Sequence, residues 1–238
     1  MTDPDARRSE IAAGLQDVRH RIAAACQAAG RRPDDVRLIA VTKFFPVTDV
    51  VHLAELGIAD FGESRDQEAA GKVARFAELS DRPATWHFIG RLQTNKARSV
   101  ARYADLVHSV DRSELAEALA AGAARADRVL PVLVQFSFDA DPARGGAAAT
   151  ELRRLADQVA ELPGLRLAGV MAIAPLDSDP DAAFARLAEA AAAVRADHPG
   201  AEVLSAGMSG DLEAAIAHGA THVRVGTALL GRRATHFR

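Results

Sequence analysis

The sequence predicts a (β/α)8 TIM-type barrel, an α/β fold, with an extra N-terminal helix, and three observations carry that expectation. From Arg37 onward, short apolar runs alternate with amphipathic stretches, the pattern of parallel α/β proteins. The apolar runs number eight, and the 238 residues fit the roughly 200–250 that such a barrel needs. The Gly-x-Gly-x-x-Gly fingerprint that would open a doubly wound dinucleotide fold is absent after the first run. No stretch reads as an interdomain linker. The expectation is therefore one domain over residues 1–238, with a helix in residues 1–30 and the barrel in 36–231.

The leading helix follows from Ile11, Leu15, Val18, Ile22 and Cys26, which recur at intervals of three and four, with Gly30 as the stop. Strands are expected at 37–42, 60–63, 86–90, 106–109, 131–138, 167–173, 202–206 and 222–225. Between them, helical patterns fall at 47–56, 66–79, 95–103, 112–124, 146–162, 181–197 and 211–218. Alanine-rich segments such as 182–194 are strong helix formers rather than low-complexity sequence.

Composition narrows the class. A chain that is 49% hydrophobic and 26% charged is ordinary for a globular protein. A net charge of -3 argues for neither a nucleic-acid nor an anionic-membrane partner. The single cysteine, Cys26, excludes an internal disulfide, and the charged N-terminus has no apolar signal region. No apolar stretch is long enough to span a bilayer. A cytoplasmic location is expected. His20, His52, His108, His198, His218, His222 and His236 show no metal-ligand spacing, so no metal is expected.

The chemistry centres on the first strand. Val36-Arg37-Leu38-Ile39-Ala40-Val41-Thr42-Lys43 is an apolar run ending on lysine, and Pro46 blocks its continuation. Lys43 thus lies at the carboxyl end of a buried strand, where barrel enzymes place their reactive groups. The chain has 29 Lys plus Arg but only three lysines, Lys43, Lys72 and Lys96. An amine does what a guanidinium cannot, because its pKa falls readily and the neutral form attacks carbonyls. After strand seven, Gly207-Met208-Ser209-Gly210-Asp211 opens a helix, and Val225-Gly226-Thr227 follows strand eight. Loops after strands seven and eight are the usual phosphate site of such barrels, and closure puts strand one beside strand eight. The alternative is that Ser209 and Asp211 only cap a helix. A lysine amine beside a phosphate cradle suits a phosphorylated aldehyde.

Several motifs in order resemble one family. They are Ala40-Val41-Thr42-Lys43, Asp60-Phe61-Gly62-Glu63, Trp86-His87-Phe88-Ile89-Gly90 with Leu92-Gln93-Thr94-Asn95-Lys96, Gly169-Val170-Met171-Ala172-Ile173, Gly207-Met208-Ser209 with Asp211, and Val223-Arg224-Val225-Gly226-Thr227. Together they are similar to the YggS/PROSC family of pyridoxal phosphate homeostasis proteins, from about Leu38 to Gly231. The resemblance implies a barrel like the N-terminal domain of alanine racemase, with pyridoxal 5′-phosphate (PLP) as a Schiff base on Lys43. It implies phosphate contacts at Ser209, Gly210, Gly226 and Thr227, a pyridine nitrogen facing Arg224, and further contacts at Ser64 and Met171. Many members carry Asn-Tyr where this chain has Ser64-Arg65, so Ser64 departs from the pattern.

Arginine acts only as a donor, so at a ring nitrogen it keeps that nitrogen neutral and weakens carbanion chemistry. The bland reading of Arg224 is an exterior ion pair. His87 reads as a hydrogen-bonded core or rim histidine, Trp86 and Phe88 as packing on the other face, and Lys96 and Arg98 as solvated. The expected function is a PLP carrier without robust catalysis, acting in intracellular PLP homeostasis. Its partners would be PLP and apo PLP-dependent enzymes as acceptors, and its state a monomer or weak dimer. The alternative is an amino-acid racemase, which needs a base on each face of the substrate carbon. The sole tyrosine, Tyr103, falls in a helix, and the eight residues after Leu230 are too few for a second domain. A third reading is a barrel enzyme of phosphorylated metabolites that does not use PLP.

Overall fold

In a computed structural model, which describes residues 4–139, 144–175 and 177–231, eight parallel strands close into a barrel in chain order. The strands are β1 (Arg37–Val41), β2 (Asp60–Glu63), β3 (Thr85–Phe88), β4 (Leu106–Val110), β5 (Leu130–Phe136), β6 (Leu165–Ala172), β7 (Val203–Ser205) and β8 (His222–Val225). The helices are α1 (Pro4–Ala28), α2 (Val47–Glu55), α3 (Asp66–Leu79), α4 (Ala97–Tyr103), α5 (Ser113–Arg125), α6 (Ala149–Glu161), α7 (Pro180–Asp197), α8 (Leu212–Ala217) and α9 (Thr227–Leu230). Short 3-10 turns at Pro33–Asp35 and Thr94–Lys96 were not anticipated, nor was α9. Most strand and helix ends differ from the expected ones by one to three residues, where apolar periodicity carries little information.

Closure is direct. β1 pairs with β8 through Arg37–His222, Leu38–Val223, Ile39–Arg224 and Ala40–Val225, and with β2 through Ala40–Phe61 and Val41–Gly62. Strand alternation then sorts the residues into an outer and a lumen face. Leu38, Ala40, Phe61, Trp86, Val223 and Val225 face the helices, and Trp86, Phe61 and Phe76 stack at 5.4–5.8 Å. Arg37, Ile39, Asp60, His87 and Arg224 take the other face. An apolar plug of Leu106, Leu133, Ala168 and Met171 occupies the β4–β6 side.

The leading helix has a definite place. Ile11, Leu15, Val18, Ile22 and Cys26 are all buried, in one cluster with Leu53, Leu212, Ile216, Leu229 and Leu230. α9 has only four residues, too few to cover β8 and β1, and α1 covers that gap. The two backbones meet at Gly14, where a Cβ would lie 2.9 Å from the carbonyl oxygens of both Ala228 and Leu229.

Candidate functional site

Two residues past β1 stands Lys43, half-buried, on the same alternation as Ile39 and Val41. Its neighbour Thr42 takes the other parity and is fully buried; its hydroxyl donates to Glu63 Oε1 at 2.7 Å. Lys72 of α3 reaches the same place. Its ammonium donates to the Thr42 carbonyl at 2.8 Å, to Glu63 Oε1 at 2.6 Å and to Glu68 Oε1 at 3.1 Å. Glu68 Oε1 also accepts the Phe44 amide at 2.5 Å. Phe44 has φ +69°, a left-handed conformation that a bulky residue adopts only when its surroundings hold it there. The Arg65 guanidinium stacks 4.6 Å from its ring centroid. Carboxylates and an ammonium thus clamp the peptide on both sides of Lys43. Burial pushes the Glu63 carboxyl above its ordinary value, with Lys72 pulling the other way.

This clamp escaped sequence reading, which treated Lys72 only as one of three lysines. The signal was present as Glu68 and Lys72 at i and i+4, one helical turn apart.

Across β1 lies the second half of the site. Gly226 packs on Val41, so that a Cβ there would meet the Val41 carbonyl oxygen and Cβ at 3.3 Å. This contact brings the loop after β8 to within two residues of Lys43. The Ser209 hydroxyl accepts the Ala228 amide at 3.3 Å and joins the loop after β7 to the loop after β8. Asp211 accepts the Met208 amide at 2.6 Å, which makes it a turn-forming residue; it stands at the N-cap of α8, but its side chain makes no cap hydrogen bond to that helix, contrary to the capping alternative. Gly210 and Thr227 are exposed, and a Cβ at Gly210 would meet nothing within 4 Å. The helices behind these loops, α8 and α9, have six and four residues, so the macrodipole expected here is small. What remains is a cradle of hydroxyls, small residues and local amides.

Arg224 lies on the lumen side, 4% exposed, and its bland reading as an exterior ion pair does not hold. Nη1 donates to Ser205 Oγ at 2.7 Å and Nη2 to the Ala172 carbonyl at 2.9 Å. Burial lowers the guanidinium to about 10, with Asp211 pulling it back up, so it stays cationic at neutral pH. Two of its five N–H groups are engaged in these bonds, which leaves donors for a ligand. Met171 is buried and pairs with Gln135 and Ser205 at the carboxyl ends of β5, β6 and β7. Ser64 follows β2 with its backbone against Gly90, where a Cβ would lie 2.3 Å from the Ser64 carbonyl oxygen. All eight candidate residues therefore gather at the carboxyl end of the barrel.

The remaining candidates take their bland places. His87 is 2% exposed and hydrogen-bonded inside the barrel, Trp86 and Phe88 pack outside it, and Lys96 and Arg98 are exposed. Tyr103 lies in α4 against the outer core, where burial, with Asp66 and Glu63, pushes its phenol up. Among the described residues no cluster of His, Cys, Asp and Glu is placed to hold a metal, and no helix is long and apolar enough to cross a membrane.

An amine, an anion cradle and a fixed cationic donor at one mouth can hold a phosphorylated aldehyde whose ring carries an acceptor nitrogen. Comparison with known proteins points the same way. The family model described as "Alanine racemase, N-terminal domain" matches residues 14–234. A pyridoxal phosphate homeostasis protein of Mycobacterium tuberculosis is 49% identical over 246 residues, covering 97% of this chain and 95% of that protein. The structure of PipY from Synechococcus elongatus with PLP bound superposes with TM-score 0.81 at 36% identity, covering 93% of this chain and all of that one. Alanine racemase from Corynebacterium glutamicum shares the fold at TM-score 0.66 and 17% identity, with 60% of its chain covered. On sequence, barrel and site together, the chain belongs to the pyridoxal phosphate homeostasis protein family, built on the alanine racemase N-terminal fold.

Proposed function

We propose that this protein binds PLP at the carboxyl mouth of its barrel and carries it for delivery to apo-enzymes, without robust catalysis of its own. The observation that carries the reading is the packing of Gly226 on Val41, which joins the hydroxyl-lined loops to the strand end two residues before Lys43. PLP, when bound, supplies an aldehyde for an amine to hold and a ring that draws electrons. Lys43 is the covalent attachment point. Ser209, Gly210, Gly226 and Thr227 hold the phosphate, and Arg224 donates to the ring nitrogen. Met171 lines the floor, and Ser64 borders the ring from the β2 side. The residues act as one domain, soluble in the cytoplasm, as monomer or weak dimer.

The racemase reading lacks a second base. The only tyrosine is on the outer side of the barrel wall, and Arg224 favours a neutral ring nitrogen. The test is made on one preparation. Wild type should be yellow, give a borohydride-fixed adduct on Lys43, pass PLP to an apo-enzyme, and show negligible alanine racemisation in a chiral assay. Lys43→Ala should lose colour and adduct. An adduct mapped to Lys72 or Lys96, or racemisation near the enzyme median of about 10 s⁻¹, would refute the proposal.

A further inference from the structure

The lumen of this barrel carries a feature that PLP binding by itself does not require. Small eight-stranded barrels fill their interiors with branched apolar side chains. Here a column of polar side chains runs from one mouth to the other. At the carboxyl side Arg224 Nη1 meets Ser205 Oγ at 2.7 Å, and Ser205 Oγ meets His108 Nδ1 at 3.0 Å. His108 Nε2 meets His87 Nδ1 at 2.9 Å, and His87 Nε2 meets Asp60 Oδ1 at 2.9 Å. Arg37 Nη1 closes the column on Asp60 Oδ1 at 3.1 Å, at the amino ends of β1 and β2. From Arg224 to Asp60 every member is less than 9% exposed.

The column has one consistent proton arrangement when both histidines are neutral. Burial acts against the Asp60 carboxylate, but His87 and Arg37 outweigh it and hold Asp60 below its usual value, so it only accepts. His87 Nε2 therefore carries a hydrogen, and neutral His87 accepts at Nδ1. His108 must then donate from Nε2. Burial first, with the Arg224 charge adding to it, keeps His108 neutral, so its Nδ1 accepts the Ser205 hydroxyl hydrogen. The Ser205 oxygen is left to accept from Arg224. Every bond points from the cation to the carboxylate, an alignment in which neighbouring hydrogen bonds polarise one another. His222, with its ring centroid 6.3 Å from that of His87, is held down to about 4 by burial, with the Arg37 and Arg224 charges adding to it, and so stays neutral beside the column.

We propose that Ser205, His108 and His87 are positioning residues for the cofactor. They form a one-way hydrogen-bond relay that sets the orientation and donor state of Arg224 and ties it to the Asp60–Arg37 pair at the opposite mouth. The cofactor half of this inference rests on the reading that Arg224 faces the ring nitrogen. Loss of an acceptor at position 87 moves the His108 hydrogen from Nε2 to Nδ1. The Ser205 hydroxyl must then turn its own hydrogen away from His108, directly beneath Arg224.

The experiment reads the imidazole tautomers by long-range proton–nitrogen NMR of the PLP-free protein, and the visible band of the PLP-loaded protein. In wild type both His87 and His108 should be Nε2–H tautomers. In His87→Phe, His108 should switch to Nδ1–H, the Arg224 side-chain nitrogen signals should move, and the visible band should shift at unchanged PLP stoichiometry. His87→Gln, which keeps one donor and one acceptor, should restore the wild-type pattern and keeps the test open if His87→Phe does not fold. An Nδ1–H His108 in wild type, or an unchanged His108 in folded His87→Phe, overturns the relay and leaves the PLP site standing. A tautomer switch with an unmoved band shows that Arg224 does not face the ring, and overturns the positioning role through that route.

Discussion

Lys43 is presented by its neighbours rather than by its own surroundings alone. The Phe44 amide is turned into the left-handed region and held by Glu68, while Lys72 holds the Thr42 carbonyl from the same cluster. Removing the ammonium would leave the Glu63 and Glu68 carboxylates without their shared cation. We expect Lys72→Met to destabilise the fold by about 3–5 kcal/mol, as for other broken buried pairs, and to weaken PLP binding as the strand end relaxes. Denaturant titration beside equilibrium dialysis measures both, and full stability with wild-type affinity would contradict the clamp. The phosphate cradle makes a separate prediction. Hydrogen bonds to charged groups contribute about 1.5–3 kcal/mol each, so Ser209→Ala combined with Thr227→Ala should weaken PLP far more than unphosphorylated pyridoxal. Equal weakening of the two ligands would place the phosphate elsewhere.

Among the elements, α1 and α9 act as a pair. α9 carries Thr227 and the amide bonded to Ser209, and α1 lies backbone to backbone against it at Gly14. A large side chain at position 14 must push the two apart. Gly14→Leu should cost about 1–3 kcal/mol from overpacking, more than the helix propensity it gains. It should also lower PLP affinity through displacement of Thr227, although residue 14 lies on the outer layer. Thermal denaturation and a PLP titration test this, and a stabilised variant would show that α1 can shift without disturbing α9. The helical periodicity of α1 was legible from Ile11 to Cys26, but α9 was not, because four residues contain barely one turn of pattern.

For the molecule as a whole, the polar column makes stability depend on pH. His108 and His222 are held neutral inside the barrel, whereas in the unfolded chain each would take up a proton near the ordinary value of 6.5. Below that value the unfolded state binds more protons, so stability is full above pH 6.5 and falls as pH drops toward about 4, where folded His222 itself charges. For His222 the loss across this window is on the order of 3 kcal/mol. Denaturant unfolding at several pH values should show the decline, and His222→Gln should flatten it. Constant stability over the window would mean that these rings are not buried as described.

The sequence by itself determined the barrel, its strand count, the packing stripe of α1, and Lys43 beside the two small-residue loops. Each of these follows from local periodicity or from the closure of eight strands, information that a linear chain carries. Only the tertiary structure decided the company these residues keep. Lys72 reaches Thr42 from a separate helix, and Asp60, His87, His108, Ser205 and Arg224 come from five different strands. No spacing in the chain encodes those meetings. They arise because barrel closure turns one face of every strand toward a common axis, where a polar group must find its partner on another strand or lose its hydrogen bond.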